Sequence, residues 1–173
     1  MASRLFSRQE VNEVFEDINP RTLRSWLDMG LVEWTSEKWD RRGANRLYSI
    51  DGLYQISIVR ELASLSIPLL SIRTIIKEYF ASTVISEKME HILGIAKRPD
   101  NDLTFSLAEP NKVVEMLTIL SGHKRGPMRP SPENTAWVSP GMGNALPPPI
   151  IIVVNLPALK YRVDDAVKGE SGA

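Results

Sequence analysis

Residues 19–30 read Asn-Pro-Arg-Thr-Leu-Arg-Ser-Trp-Leu-Asp-Met-Gly, and this stretch decides the fold of the first part of the chain. Asn19 is a favoured helix cap, and Pro20 suits the first helical position, where a missing N–H costs nothing. Gly30 is suited to end the helix in the left-handed conformation. The stretch therefore predicts a short helix. At helical spacing its apolar face consists of Leu23, Trp26 and Leu27, and its outer face of Arg21, Thr22, Arg24 and Ser25.

A second helix is predicted directly before this one. Ser7-Arg-Gln-Glu10 has the pattern of a capping box, and Val11, Val14 and Phe15 form an apolar stripe. Two short helices joined by so brief a turn are typical of a helix-turn-helix. The major groove of DNA admits a small helix that presents Arg, Thr and Ser outward. The outer face of the helix that begins at Pro20 is therefore predicted to bind DNA.

A basic loop follows the two helices. The apolar pairs Leu31-Val32 and Leu47-Tyr48 flank a polar, glycine-containing segment, which predicts the two strands of a wing. A wing that follows a groove-reading helix is placed to reach the DNA backbone or the minor groove. Its predicted contacts are Lys38, Arg41, Arg42 and Arg46. The acidic residues Asp28, Glu33, Glu37 and Asp40 partly oppose this basic cluster.

These motifs together resemble the DNA-binding domain of MerR-type transcription regulators. Residues 19–32 resemble the second helix of its winged helix-turn-helix, residues 41–49 its wing, and residues 50–78 the helix pair that follows. The resemblance covers about residues 5–79, and departs from the family at Ser25, where an aromatic residue is usual, and at Ala44-Asn45, which replace Gly-Tyr. It implies a dimer that bends or untwists promoter DNA. The residues it implies at the DNA interface are Arg21, Thr22, Arg24, Arg46 and Tyr48.

The remaining sequence also predicts mostly helices, so the predicted fold class is mainly α-helical. Residues 1–80 are predicted to form the winged helix-turn-helix domain, with helices from Ser49 to Leu65 and from Pro68 onward. Residues 81–122 are predicted to form a short helical extension and 123–149 a Pro- and Gly-rich linker. Residues 150–173 are predicted to form a short C-terminal strand/helix segment with a tail. In the extension, two short helices are expected at 86–95 and 110–120, and alternating apolar residues from 103 to 107 suggest a strand between them.

The mode of self-association is left open by the sequence. No sustained heptad pattern is present, so a coiled-coil dimer is not expected, and the chain must either dimerise by another route or remain a monomer. Ile150–Val154 is a β-branched run that would be prone to aggregate if it were exposed. We therefore expect it to pair with a sheet edge and to contribute to dimerisation. Docking of another protein on this C-terminal segment is the alternative.

The composition argues against several classes of protein. The chain of 173 residues has 21 Lys+Arg and 21 Asp+Glu, so that any DNA contact must come from local clustering of charge. It contains no cysteine and only 2 histidines, so no disulfide, thiolate metal site or cofactor is expected. Neither a catalytic motif nor a signal peptide is recognisable, and no apolar run is long enough to span a membrane. A cytoplasmic, nucleoid-associated protein without enzymatic activity is predicted.

The leading hypothesis is a sequence-specific transcription regulator that binds double-stranded DNA as a homodimer. A DNA architectural, recombination-accessory or partition protein would use the same contacts for another purpose. A protein-interaction module would use the winged domain or the C-terminal segment to bind another protein. Binding to a fragment of its own upstream DNA distinguishes the protein-interaction module from the two DNA-binding hypotheses.

Overall fold

The computed structural model describes residues 4–36, 46–80, 85–97, 103–121 and 150–169. Within these ranges the chain is mainly helical, with a two-stranded sheet and a three-stranded antiparallel sheet. The α-helices are α1 (Arg8–Val14), α2 (Pro20–Asp28), α3 (Ile50–Ser64), α4 (Leu69–Ile75), α5 (Ile85–Lys88), α6 (Val113–Leu120) and α7 (Leu156–Gly169). The strands are β1 (Thr35–Ser36), β2 (Arg46–Leu47), β3 (Ile92–Lys97), β4 (Leu103–Ala108) and β5 (Ile150–Asn155). A π-helical turn, Ile76–Phe80, extends α4, and a 3-10 turn, Pro110–Lys112, precedes α6.

The chain divides into two compact units. The first consists of Met1–Ile92 together with Val154–Ala173, and the second of Leu93–Val153. The first unit therefore contains α1 to α5, the short sheet of β1 and β2, and the C-terminal helix α7. Most of the three-stranded sheet and α6 belong to the second unit.

Caps at both ends fix the first two helices where the sequence predicts them. Ser7 and Glu10 form the full capping box of α1, with the Ser7 N–H donating to the Glu10 carboxylate at 2.7 Å. The Asn19 side chain accepts a hydrogen bond from the Arg21 N–H at 2.8 Å and so caps α2. After α2, Gly30 has a φ of +67°, which is the left-handed conformation predicted for it. The predicted helix pair and its brief turn are confirmed.

Helix α3 is the centre of the first unit. Its residues from Gly52 to Val59 are all buried, because α4, α5 and α7 pack around it. Glycine lets the loop after α2 approach α3 closely at this point, since a Cβ on Gly52 would lie 3.0 Å from the Glu33 carbonyl oxygen. The buried Gln55 side chain accepts a hydrogen bond from the Glu33 N–H at 2.6 Å. At the turn between α1 and α2, Asp17 accepts a hydrogen bond from Arg60 of α3. These contacts hold α2 in a fixed position on α3.

A small antiparallel ribbon lies beside α1. Strands β1 and β2 pair with Thr35 opposite Leu47 and Ser36 opposite Arg46. The next residue, Tyr48, exchanges two backbone hydrogen bonds with Phe6, at 2.8 and 2.9 Å. Because Phe6 directly precedes the cap of α1, this pairing attaches the ribbon to the beginning of that helix.

The second unit is built on the sheet in the order β4-β3-β5. Helix α6 packs on β4 and directs Met116 and Leu120 inward. A Cβ on Gly94 would lie only 2.6 Å from Leu120 Cδ1, so the glycine leaves the room that these α6 side chains occupy. The prediction that Ile150–Val154 forms a strand beside another strand is confirmed, since β5 pairs with β3. The strand predicted between 103 and 107 is also confirmed as β4.

One prediction in the C-terminal half is wrong. Residues 86–95 do not form one helix, because α5 ends at Lys88 and the segment continues as β3. The C-terminal segment, predicted to contain a strand or helix, contains both, since β5 is followed by α7, which packs on α3 and α1. Asp164 in this helix accepts a hydrogen bond from the Tyr54 hydroxyl at 2.6 Å and thus helps to hold α7 on α3.

Some predictions concern residues outside the described ranges. They include the wing residues Lys38, Arg41 and Arg42, and the whole of the predicted linker at 123–149. Across the described helices, a search for one with the length and apolar character needed to cross a membrane finds none.

Candidate nucleic-acid interface

The outer face of α2 has the predicted orientation. Leu23, Trp26 and Leu27 are buried, with Trp26 only 5% exposed. The predicted contact residues all lie on the exposed side, namely Arg21, Thr22, Arg24 and Ser25. The helix therefore presents two guanidinium groups and two hydroxyl groups to solvent from a backbone that is fixed on the core.

An open groove of about 530 Å³ runs beside this face. The first residues of α1, the inner part of α2, and β2 together with Tyr48 line this groove. Its lining residues are Ser7, Arg8, Gln9, Pro20, Leu23, Arg24, Leu27, Arg46, Leu47 and Tyr48. The charged side chains in this lining are all arginines, so the groove is suited to an anion such as a phosphate group.

Arg46 is held at the edge of the groove by two neighbours. Its guanidinium carbon lies 5.1 Å from the centre of the Trp34 ring, which is within the range of a cation–π interaction. Its Nη2 atom lies 3.8 Å from Oδ1 of Asp28, the last residue of α2. The side chain is one-third exposed (33%) and is therefore partly ordered before any ligand arrives.

Arg24 reaches the same carboxylate from the other direction. Its Nε atom lies 3.9 Å from Oδ2 of Asp28, and its side chain is 70% exposed. The contact brings Arg24 of α2 and Arg46 of the ribbon around one acidic group. Sequence reasoning predicted both arginines as DNA contacts but did not place them together.

Tyr48 lies at the floor of the groove and is completely buried. The contact between this residue and DNA that the resemblance implied stays a prediction, because the side chain is buried in the free protein although it lines the groove. Its hydroxyl group has no hydrogen-bond partner among the described residues. Burial raises the pKa of the Tyr48 phenol, although the positive charges of Arg46 and Arg8 act in the opposite direction. Tyr48 therefore remains a neutral side chain that supports the groove from below.

Substitution of Tyr48 by Phe is expected to leave thermal stability unchanged or to increase it. A buried hydroxyl without a partner costs about 1–3 kcal/mol, and the substitution removes it without changing the shape of the ring. The matched control is Tyr54→Phe, which removes the hydrogen bond to Asp164 and should lower the melting temperature. Thermal unfolding followed by circular dichroism compares the two. Equal destabilisation by both substitutions would contradict the expectation and would mean that the Tyr48 hydroxyl has a partner.

Two residues of this region were missed as site residues by the sequence reasoning. Arg8 follows the Ser7 cap and lines the groove, and Trp34 faces Arg46 just before β1. The sequence indicated the position of Arg8, because the capping box of Ser7 and Glu10 places this arginine in the first turn of α1. For Trp34 no sequence signal was available, because its contact depends on how the ribbon folds back toward α2.

The sequence matches no known protein-family model and no curated protein.

Proposed function

We propose that this chain is a sequence-specific DNA-binding transcription regulator of the winged helix-turn-helix type, as its resemblance to MerR-type regulators implies. The observation that carries the proposal is the exposed Arg-Thr-Arg-Ser face of α2 beside a groove whose charged residues are all arginines. Helix α2 would enter the major groove, and the ribbon of β1 and β2 would serve as the wing.

The geometry of α2 supports its role as the recognition helix. Helices of this kind read base edges mainly with residues near their N-terminus. Arg21 and Thr22 lie in the first turn of α2, and Arg24 follows in the next turn on the exposed side. Arginine can form two hydrogen bonds with the O6 and N7 atoms of guanine, which makes Arg24 a suitable base-reading residue.

The position of Arg46 supports a contact with the DNA backbone. Phosphate contacts fix the position of a protein on the duplex and carry no direct sequence information. Arg46 lies in the ribbon, beside the recognition helix, and Trp34 restricts its movement. Arg8 adds a second positive charge on the opposite side of the groove. In this proposal Arg46 and Arg8 bind phosphates, while α2 reads bases.

The proposal includes a homodimer in the cytoplasm, associated with the nucleoid. Two recognition helices of a dimer would occupy successive major grooves, and half-sites would then lie about one helical turn apart. An inverted repeat in the bound sequence, together with a dimeric mass by light scattering, would support this part of the proposal. An architectural or partition protein would bend or coat DNA with weaker sequence preference.

The experiment that tests the function is selection of binding sites from random duplexes with the full-length protein. The proposed regulator should enrich a defined sequence, and the same protein should bind a fragment of its own upstream DNA at physiological salt. Recovery of unrelated sequences with equal affinity would favour the architectural alternative. Absence of binding to any duplex would overturn the proposal in favour of a protein-interaction module.

Replacement of Arg46 by Ala should weaken binding to specific and scrambled duplexes alike. The loss of one phosphate contact per protomer should make the slope of log K against log salt shallower by about one unit per protomer. Because the side chain lies at the surface, thermal stability should change little. Titrations at several salt concentrations measure both slopes. A selective loss on the specific duplex alone would contradict the phosphate role and would assign Arg46 to base recognition.

A further inference from the structure

Asp28 occupies a distinctive position between the two arginines that the proposed function assigns to DNA. Its two carboxylate oxygens face different partners, with Oδ2 at 3.9 Å from Arg24 Nε and Oδ1 at 3.8 Å from Arg46 Nη2. Both distances exceed those of a normal hydrogen bond, and the Asp28 side chain is 60% exposed. The carboxylate is therefore an accessible, loosely held anion between two positively charged groups.

The location of Asp28 does not favour the stability of its own helix. It is the last residue of α2, and the C-terminal end of a helix carries a partial negative charge. Acidic residues stabilise the opposite end, and α2 has no acidic residue in its first turn and no basic residue in its last. Among the described residues, Asp28 forms favourable charge interactions with Arg24 and Arg46. Its charge is better explained by its effect on these arginines than by a role in folding.

We propose that Asp28 takes, in the free protein, the place toward which Arg46 draws a DNA phosphate, beside the base-reading Arg24, and that it thereby limits sequence-independent binding to DNA. This inference rests on the proposed DNA-binding function. A carboxylate and a phosphate present the same feature to a guanidinium group, namely negatively charged oxygens that accept hydrogen bonds. The phosphate must displace the carboxylate from Arg46 before it can bind this arginine closely.

The energetic effect follows from the exposure of the ion pair. Exposed ion pairs of this kind contribute little to the free energy of the folded protein. A phosphate can therefore displace Asp28 without a large energetic cost. The carboxylate nevertheless stays attached to α2 and repels the phosphate that replaces it. Attraction to phosphates supplies nearly all of the binding to non-cognate DNA, whereas cognate DNA also gains contacts with bases. Asp28 therefore lowers the sequence-independent part of the affinity for DNA.

The test compares Asp28→Asn with wild type in the full-length protein, using a duplex of scrambled sequence as the probe. Asparagine keeps the size of the side chain and removes its charge. Affinity for the scrambled duplex should rise about three- to fivefold, and the salt dependence should become steeper by about one unit per protomer. Thermal stability should be unchanged or slightly higher, because a negative charge is removed from the helix C-terminus.

Two matched variants separate the local effect from the change in net charge. Asp165→Asn makes the same change on α7, at an exposed residue that does not line the groove, and should leave affinity close to that of wild type. In an Arg46→Ala background, the effect of Asp28→Asn should become smaller, because one of the two arginines on which it acts is absent. A gain that is specific to Asp28→Asn and reduced by Arg46→Ala supports the inference.

The inference and the proposed function fail in different ways. If wild type binds DNA but Asp28→Asn has the same affinity and salt slope as wild type, the inference is overturned and the function stands. The inference is likewise overturned if Asp165→Asn increases affinity as much as Asp28→Asn. If wild type and both variants bind no duplex at any salt concentration, the proposed function and the inference are overturned together.

Discussion

Replacement of Trp26 by Ala is expected to unfold or loosen the first unit. The side chain is buried on the face of α2 that packs against the core, and truncation of a buried aromatic residue typically costs about 3–5 kcal/mol. This is a large fraction of the stability of an ordinary domain. Urea denaturation followed by circular dichroism measures the loss. DNA binding should disappear with it, because α2 would no longer be held in position.

Trp34→Ala is the matched control for this experiment. Trp34 is 42% exposed and contacts Arg46, so that its removal should cost much less stability while still weakening phosphate binding. Comparison of the two variants would thus separate the effect on packing stability from the effect on DNA binding. A Trp26→Ala variant that melts like wild type and loses only DNA binding would show that the orientation of α2 differs from the one described.

Replacement of Arg24 by Ala should cost about 1–3 kcal/mol on the specific DNA site and should relax the preference at one base pair. The physical reason is the loss of two hydrogen bonds with one guanine edge, while the other contacts remain. Melting should stay as in wild type, because the Arg24 side chain is 70% exposed. Titrations of the selected site and of variants with each base pair replaced measure both effects.

Arg73→Ala is a suitable control, because Arg73 is an exposed arginine on α4, does not line the groove and carries the same charge. It should bind the specific site with nearly wild-type affinity. If Arg24→Ala weakens all duplexes equally, Arg24 contacts phosphate and another residue of α2 reads the base. If Arg24→Ala and Arg46→Ala both leave DNA affinity unchanged, the nucleic-acid interface is placed on the wrong surface.

Local signals were sufficient to predict the helices of the first unit up to α4, whereas the first strand of the ribbon, expected at Leu31-Val32, lies instead at Thr35–Ser36. Helix caps depend on hydrogen bonds between residues two or three positions apart, and Ser7, Asn19 and Ser49 each accept the expected bond. The orientation of α2 followed from its helical spacing, because its apolar residues occur on one side only. These features require no knowledge of distant parts of the chain, which is why they could be predicted.

The errors arose where the structure depends on distant contacts. The residues of β3 from Ile92 to Ala96 are all buried, and a fully buried apolar run gives no periodicity that separates a strand from a helix. Helix α7 begins at Leu156 and contains Pro157 in its first turn, a position that proline tolerates. Its buried residues Leu159 and Val163 have helical spacing, which agrees with the short C-terminal strand/helix segment that was predicted, but the length of the helix depends on its packing against α3.

The candidate site was predictable in its residue types but not in its arrangement. The arginines of α2 and the ribbon could be identified from their place in the motif. Their meeting at Asp28 depends on the pairing of β2 with β1 and on the attachment of Tyr48 to Phe6. No local pattern encodes those contacts, so the sequence predicted Asp28 only as a charge that opposes the basic cluster.

The discontinuous first unit has a consequence for the synthesis of the protein. Helix α7, whose buried residues include Leu156 and Leu159, packs on α1 and α3 but is translated only after residues 93–153. Nascent chains grow at about 5–20 residues per second, so that α3 waits several seconds for this partner. During that interval its apolar surface is incompletely covered, and closure of the intervening loop carries an entropic cost. The first unit can reach its final packing only after α7 has been synthesised, because the apolar surface of α3 that α7 covers is exposed until then.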